Sequence, residues 1–409
     1  MMFLFIAPLM AADVTGYSEM RGSWSEGVSG TPWQLVERVR PTLSADLSPQ
    51  WSVEITAEAI GVHGRWEPDV AFDLVNEQIG SVLASAECPF ERPDARVSSA
   101  SDYLSVERLF LDYYGEKVDV RVGRQALNWG SAQMLNPTDL FSEVLVAEPW
   151  RERGGVNAAR LNWSINGDSQ LTAVAAISDT LDQGRFGLRP TWNLMETDVS
   201  PIASFNTMGT GFVGLDLRGE NGVGWWVEGG AHWKDSEAIP EVSAGLDYSF
   251  LLRQGLLLGL QYTYDGTGIA DPFDYTLAAR GTMLVPVPGC DAAAETFSIP
   301  DDVEPRFTIG QHYGLAWTRL AWDENWTFQA SALMNLQDKS TFLLPSLGWT
   351  PGDRLSLNLG AQMLLGEGEF SPSVYVKNVD FGEGNSKASV DFDGLIPDWS
   401  LYSFIRFAL

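Results

Sequence analysis

Apolar and polar residues alternate one for one along much of this chain. From Val242 to Phe250, the residues Val242, Ala244, Leu246, Tyr248 and Phe250 alternate with Ser243, Gly245, Asp247 and Ser249. Trp326–Met334, Leu355–Met363 and Trp51–Ala59 repeat the pattern; in the last, Glu54, Thr56 and Glu58 share one side and Val53, Ile55 and Ala57 the other. Successive side chains of a strand point to opposite faces, so the pattern predicts strands with one greasy and one wet face. Many of these segments run to roughly nine to twelve residues, the length a tilted strand needs to cross a bilayer. Strands of soluble sheets are about half as long.

The spacing predicts about sixteen strands, near 14–25, 32–47, 51–64, 103–115, 118–130, 154–165, 169–179, 205–218, 222–234, 241–252, 256–266, 307–321, 325–336, 341–350, 354–365 and 398–409. Every second joint is a tight turn, among them Ser48-Pro49-Gln50, Asn166-Gly167-Asp168 and Pro351-Gly352-Asp353, built from residues that favour turns. The intervening joints include all the long ones, 65–102, 131–153, 180–204, 267–306 and 366–397. Turns at one end and long loops at the other predict an all-β fold: a transmembrane antiparallel up-and-down β-barrel with short periplasmic turns and long extracellular loops. A sheet in lipid must close, because each unpaired backbone group costs several kcal/mol there. About sixteen strands enclose a lumen wide enough for water.

The two ends of the sequence extend this picture. Met1 to Ala12 has the apolar core of a secretory signal without its basic start, so 1–12 is read as an atypical or truncated signal peptide, with a buried strand as the other reading. Residues 13–409 form one barrel domain. The last strand carries Leu401, Ile405, Phe407 and Leu409 in period two. It resembles, with Leu in place of the usual final aromatic residue, the segment read by the barrel-assembly machinery. Trp33, Trp51, Trp163, Trp233, Trp317, Trp326, Trp349 and Trp399 fall near predicted strand ends, where an amphipathic ring suits a membrane–water boundary.

Composition removes several alternatives. The net charge of −28, from 26 Lys+Arg against 54 Asp+Glu, argues against nucleic acid as a partner. Beyond the N-terminus no apolar run reaches the length of a spanning helix. Two cysteines, Cys88 and Cys290, allow one disulfide between two long loops, and no CxxC or His/Cys cluster marks a zinc site. No hydrolase or phosphate-binding motif is present, and His63, His232 and His312 are scattered. No catalytic residue, metal or cofactor is expected. Asp391-Phe392-Asp393-Gly394 is a fragment of a calcium-loop pattern without its remainder, an ordinary acidic turn.

With the apolar set toward lipid, the alternate set lines the pore. It includes Arg38, Arg40 and Asp46 on the second predicted strand, Glu54 and Glu58 on the third, Arg108 and Asp112 on the fourth, Asp119 and Arg121 on the fifth, and Arg160 on the sixth. Further round come Asp216, Glu228, His232 and Asp247. Arginine rings favour anions, whereas arginines paired with carboxylates only stiffen the wall; both readings stand at this point.

Residues Val120–Asp139 read VRVGRQALNWGSAQMLNPTD. The run Gly123-Arg124-Gln125, Asn128-Trp129-Gly130 and Asn136-Pro137-Thr138-Asp139 resembles a pattern in alginate-export-like barrels and related proteobacterial barrels. That resemblance implies a Gram-negative outer-membrane, porin-like barrel. Thr138 or Asp139 is expected to cap a short helix over 140–144. The loop 131–153, with Asp139, Glu143, Glu148, Arg151 and Arg153, is expected to fold inward as a constriction, with an outer surface loop as the alternative. A second helical spacing, at 69–86, is expected to cap the mouth.

The sequence thus points to a passive channel for small hydrophilic or anionic solutes. The rival is a non-conducting structural or adhesion barrel acting through its outer loops. Lipid and lipopolysaccharide are the expected surroundings, and a homotrimer is an assembly open to such a barrel.

Overall fold

The computed structural model describes residues 12–25, 33–64, 102–141, 151–177, 184–234, 237–270, 272, 308–366, 368–370, 374–379, 386–390 and 399–409. The strands are β1 (Ala12–Ser25), β2 (Trp33–Ser48), β3 (Trp51–Gly64), β4 (Tyr103–Tyr114), β5 (Val118–Gln125), β6 (Val156–Asn166), β7 (Ser169–Ile177), β8 (Gly184–Leu194), β9 (Thr197–Asn206) and β10 (Gly211–Glu220). They continue with β11 (Gly224–Lys234), β12 (Glu237–Phe250), β13 (Gly255–Asp265), β14 (His312–Ala321), β15 (Trp326–Asn335), β16 (Thr341–Gly352), β17 (Leu355–Leu365), β18 (Val374–Val379), β19 (Ser386–Val390) and β20 (Trp399–Ala408). Each of β1–β17 pairs antiparallel with its chain neighbours, β17 pairs with β20, and β20 returns to β1. The sheet is therefore a closed ring of eighteen strands. β18 and β19 form a separate hairpin within the last long connection.

Eighteen strands replace the expected sixteen because 180–204, expected as a long loop, contains β8 and β9. Two features hid this hairpin. Its turn, Met195-Glu196, uses neither Gly nor Asn, yet both residues hold positive φ, 52° and 63°. Pro190 and Pro201 interrupt the pattern, and they fall in the gap where the β8–β9 ladder lapses between Leu188↔Ala203 and Trp192↔Val199. A proline has no N–H for the ladder, which is why it usually argues against a central strand.

Along the strands, exposure alternates in the sense opposite to that of a soluble protein. Leu43, Leu109, Val122, Leu188, Val213, Leu246, Leu260, Leu359 and Ile405 are exposed on the outer face. Arg38, Arg40, Glu58, Asp112, Asp216 and Glu228, on the inner face, are buried. An apolar exterior around a polar interior belongs in lipid. Among the described residues no helix is long and apolar enough to cross a membrane; the strands do the crossing.

The joints 49–50, 115–117, 167–168, 195–196, 221–223, 251–254, 322–325 and 353–354 all lie at one end. Aromatic residues band both rims. Trp51 meets Tyr113 at 4.9 Å and Trp326 stacks on Trp349 at 5.8 Å near the short turns, and Trp24 meets Trp399 at 5.2 Å near the long loops. Trp317 is a correction to the expected girdle. It stands mid-strand, over Gly259 of β13, where an added Cβ would come within 2.1 Å of its ring.

Candidate functional site: a lumen crossed by its own loop

The inner wall from β20 through β1 to β6 carries a mesh of arginines and carboxylates. Glu19 of β1 is opposite Arg38 of β2 in one ladder and opposite Arg406 of β20 in the other. It contacts both, at 3.4 Å and 2.6 Å. Glu58 of β3 takes Arg38 at 3.3 Å and Arg40 at 3.2 Å. Arg121 grips Asp112 through two nitrogens, 2.6 and 2.8 Å, while its guanidinium lies 3.8 Å from the centre of the Phe110 ring. Planar, two-point contact of this kind is what arginine offers over lysine. Several of these arginines are therefore matched with carboxylates of the wall itself.

One break in this pairing faces open space. Arg40 and Arg108 line a cavity of about 150 Å³ together with Tyr17, Thr42, Glu54 and Thr56. Arg40 reaches Glu152, whose side chain is half exposed, at 2.9 Å. Arg108 donates to the backbone carbonyls of Glu107 and Arg153, at 2.8 and 2.6 Å. Beyond the Glu58 contact of Arg40, this arginine pair thus has one half-exposed carboxylate and two backbone oxygens as partners.

Residues 126–141 leave β5 and run across the interior. Near their start and end, Leu127, Trp129, Leu140 and Phe141 are buried with Ala158, Val174, Ala176, Ile202 and Phe212 of β6, β7, β9 and β10. In the middle, Met134 and Leu135 pack against Tyr313, Leu315, Leu333, Phe342 and Leu344 of β14–β16. Between these apolar anchors lie polar ones. Gln261 of β13 accepts from the Gln133 N–H at 2.7 Å and donates to the carbonyls of Gln133 and Leu135 at 2.9 and 3.0 Å. Ser243 of β12 donates to the Leu135 carbonyl at 3.1 Å. The Asn136 side chain donates to the Trp129 and Ala132 carbonyls and accepts from the Thr138 N–H, so the bend holds its own shape. Gly130 has φ 83°, and a Cβ there would sit 2.2 Å from Thr138 Oγ1 and 2.6 Å from Glu228 Oε2.

The expected capping role of Thr138 is corrected: its hydroxyl turns its one proton toward Asn136 Oδ1 and Glu228 Oε2, at 3.2 and 3.3 Å, instead of accepting from the N–H groups of a helix start. Leu140 and Phe141 are not helical, and 142–144 lie outside the described residues. The Asp139 side chain is buried and paired with Arg153, whose guanidinium pKa is lowered by burial. Arg151 donates to the Tyr103 hydroxyl at 3.0 Å. Glu143, Glu148, Cys88, Cys290, the segment 69–86 and residues 391–394 lie outside the described residues.

Arg160, Asp119, Asp247 and His232 stand on the inner face with the arginines and carboxylates already placed, and Asp46 is at its short-turn rim. Sequence reasoning missed Glu19 and Arg406, because nothing in the sequence shows which residues of the first and last strands face each other. It missed Arg189, which binds Asp216 at 2.8 Å, because its strand was read as a loop. It also missed Glu369. This buried carboxylate, between β17 and β18, accepts from the Ile309 and Gly310 N–H groups, the Tyr313 hydroxyl and Asn335. Burial raises its pKa despite those donors.

A closed antiparallel barrel with an apolar exterior, a charged interior and a loop folded across it is a porin-like outer-membrane barrel. Solved structures share that fold over almost the whole chain. OccK2 (OpdF) of Pseudomonas aeruginosa in complex with glucuronate is similar with a TM-score of 0.55 at 10% identity, covering 98% of each chain. OccK5 (OpdH) of the same organism gives 0.54 at 9% identity, covering 97% of this chain and 98% of the other. OccAB1 of Acinetobacter baumannii gives 0.51 at 8%, covering 97% and 96%. At these identities the likeness is one of fold. No family model and no curated protein matches the chain.

Proposed function

We propose that this chain is an outer-membrane channel through which small hydrophilic anions diffuse, and not an enzyme. One observation carries the reading: Arg40 and Arg108 stand together on the wall of an open cavity, with Glu54 and a half-exposed Glu152 as the carboxylates beside them. A solute carboxylate can take the place of Glu152 at Arg40 with a similar charge-assisted contact. The crossing segment 126–141 acts as the constriction, bringing a passing solute to that wall. The inward residues from Arg38 to Asp247 named above line the path, with arginines on the β2–β6 arc facing the carboxylates of β10–β12. The fold is that of the Occ porins, one of which was solved with glucuronate, itself a carboxylate. The exterior sits among lipid and lipopolysaccharide, and the β20 strand serves as the assembly signal.

Reconstitution in planar bilayers under a salt gradient tests this. Step conductance with a reversal potential on the anion side is expected. Replacing Arg40 and Arg108 together by Gln is expected to move the reversal potential toward cations. A barrel that inserts but carries no current defeats the reading and favours the adhesion barrel.

A further inference from the structure

Under the crossing segment, two carboxylates of neighbouring strands each keep one oxygen without a partner. Asp216 of β10 and Glu228 of β11 stand directly opposite in register and are 2% and 1% exposed. Asp216 Oδ2 accepts from Arg189 at 2.8 Å. Glu228 Oε2 accepts from the N–H groups of Ser131 and Ala132 at 2.5 and 3.2 Å and from the Thr138 hydroxyl at 3.3 Å. Asp216 Oδ1 and Glu228 Oε1 have no hydrogen-bond partner. Opposed side chains in an antiparallel pair have Cβ atoms about 5 Å apart, within which two carboxyl groups can meet. Two carboxylates that meet in this way do not both ionise; they share one proton.

No donor around the pair reaches these two oxygens, although the Ser131 side chain also hydrogen-bonds the Asp216 carboxylate. Arg189 of β8 is engaged with the other Asp216 oxygen. Arg218 is the next inward position on β10, toward the short turns. His232 of β11 faces Glu241 of β12 at 3.4 Å. Ser243, opposite Glu228 on β12, is neutral, and Asp139 of the crossing segment is taken by Arg153.

We propose that Glu228 is the positioning residue of the crossing segment, and that a proton shared between Glu228 Oε1 and Asp216 Oδ1 holds it there. The shared proton leaves Oε2 free to hold three donors of the bend 131–138. When the proton departs to the lumen water, two like charges face each other and Glu228 swings away from Asp216. The two N–H groups and the Thr138 hydroxyl are then released together. The consequence for conduction rests on the channel reading; the latch itself does not.

Amide hydrogen exchange on the full barrel in detergent reads the latch directly. After correction for intrinsic rates, protection of the 131–138 peptides is expected to fall about tenfold or more from about pH 5 to about pH 9. Asp216→Asn, whose amide donates to Glu228 Oε1 at every pH, is expected to hold protection constant. Glu228→Gln does the same from the other side and serves if the first variant fails to fold. Protection that is equal at both pH values in the unaltered protein, or a drop that survives in either variant, overturns the proposal. Conductance of the same samples then reports on the channel separately: a silent barrel with the expected exchange pattern sinks the pore and leaves the latch standing.

Discussion

Glu19 does work that no neighbour in sequence can do. Its carboxylate is 2% exposed and serves two guanidiniums, one of them 4% exposed. Removing one member of a buried ion pair strands the other charge, which costs more than the pair contributes. Glu19→Ala is expected to destabilise the barrel by about 3–5 kcal/mol. Urea unfolding in lipid vesicles, followed by tryptophan fluorescence, measures it. A double change of Glu19 and Arg406 to Gln is expected to cost less than the single one, because Arg38 keeps Glu58 and no charge is left alone. Alternation indicated which arginines and carboxylates lined the inner wall. Which arginine met which carboxylate depends on register, and register is set by neighbouring strands, so it could not be read residue by residue.

At the scale of elements, β8 and β9 mark the limit of pattern reading. Most joints at the short-turn end announce themselves through Gly, Asn, Asp or Pro, as at Asn166-Gly167-Asp168 and Pro351-Gly352-Asp353. Met195-Glu196 does not, and both residues adopt a left-handed conformation that non-glycine residues enter at a cost. Replacing the pair by Asn-Gly is expected to stabilise the hairpin by about 1 kcal/mol or more, read in the same urea titration. The crossing segment shows the reverse case. Its Asn128-Trp129-Gly130 and Asn136-Pro137-Thr138-Asp139 stood out as a motif, and the structure gives the reason. Gly130 turns where no Cβ fits, Asn136 ties the bend to itself, and Trp129 anchors one end in the wall. The sequence signalled a special loop there, but its partners Glu228, Ser243 and Gln261 lie about a hundred residues away in the chain.

For the whole molecule, the inverted distribution of polarity is the decisive property. Leu260, 57% exposed near mid-strand, is expected to tolerate arginine badly, at about 2–4 kcal/mol, whereas Phe250 by the short turns should tolerate it within about 1 kcal/mol. Unfolding free energies of Leu260→Arg and Phe250→Arg in the same vesicles give the comparison; equal costs would mean that the exterior does not face hydrocarbon. The closing seam has a kinetic consequence. Glu19 and Arg406 are 387 residues apart, and their contact forms only when the terminal strand arrives beside the first. Closure thus carries nearly the largest loop entropy the chain can present, and such distant pairings form late and slowly. Until then both strands hold open edges, ready to zip onto any other sheet, so an escort protecting two unpaired flanks should govern how fast this cylinder matures.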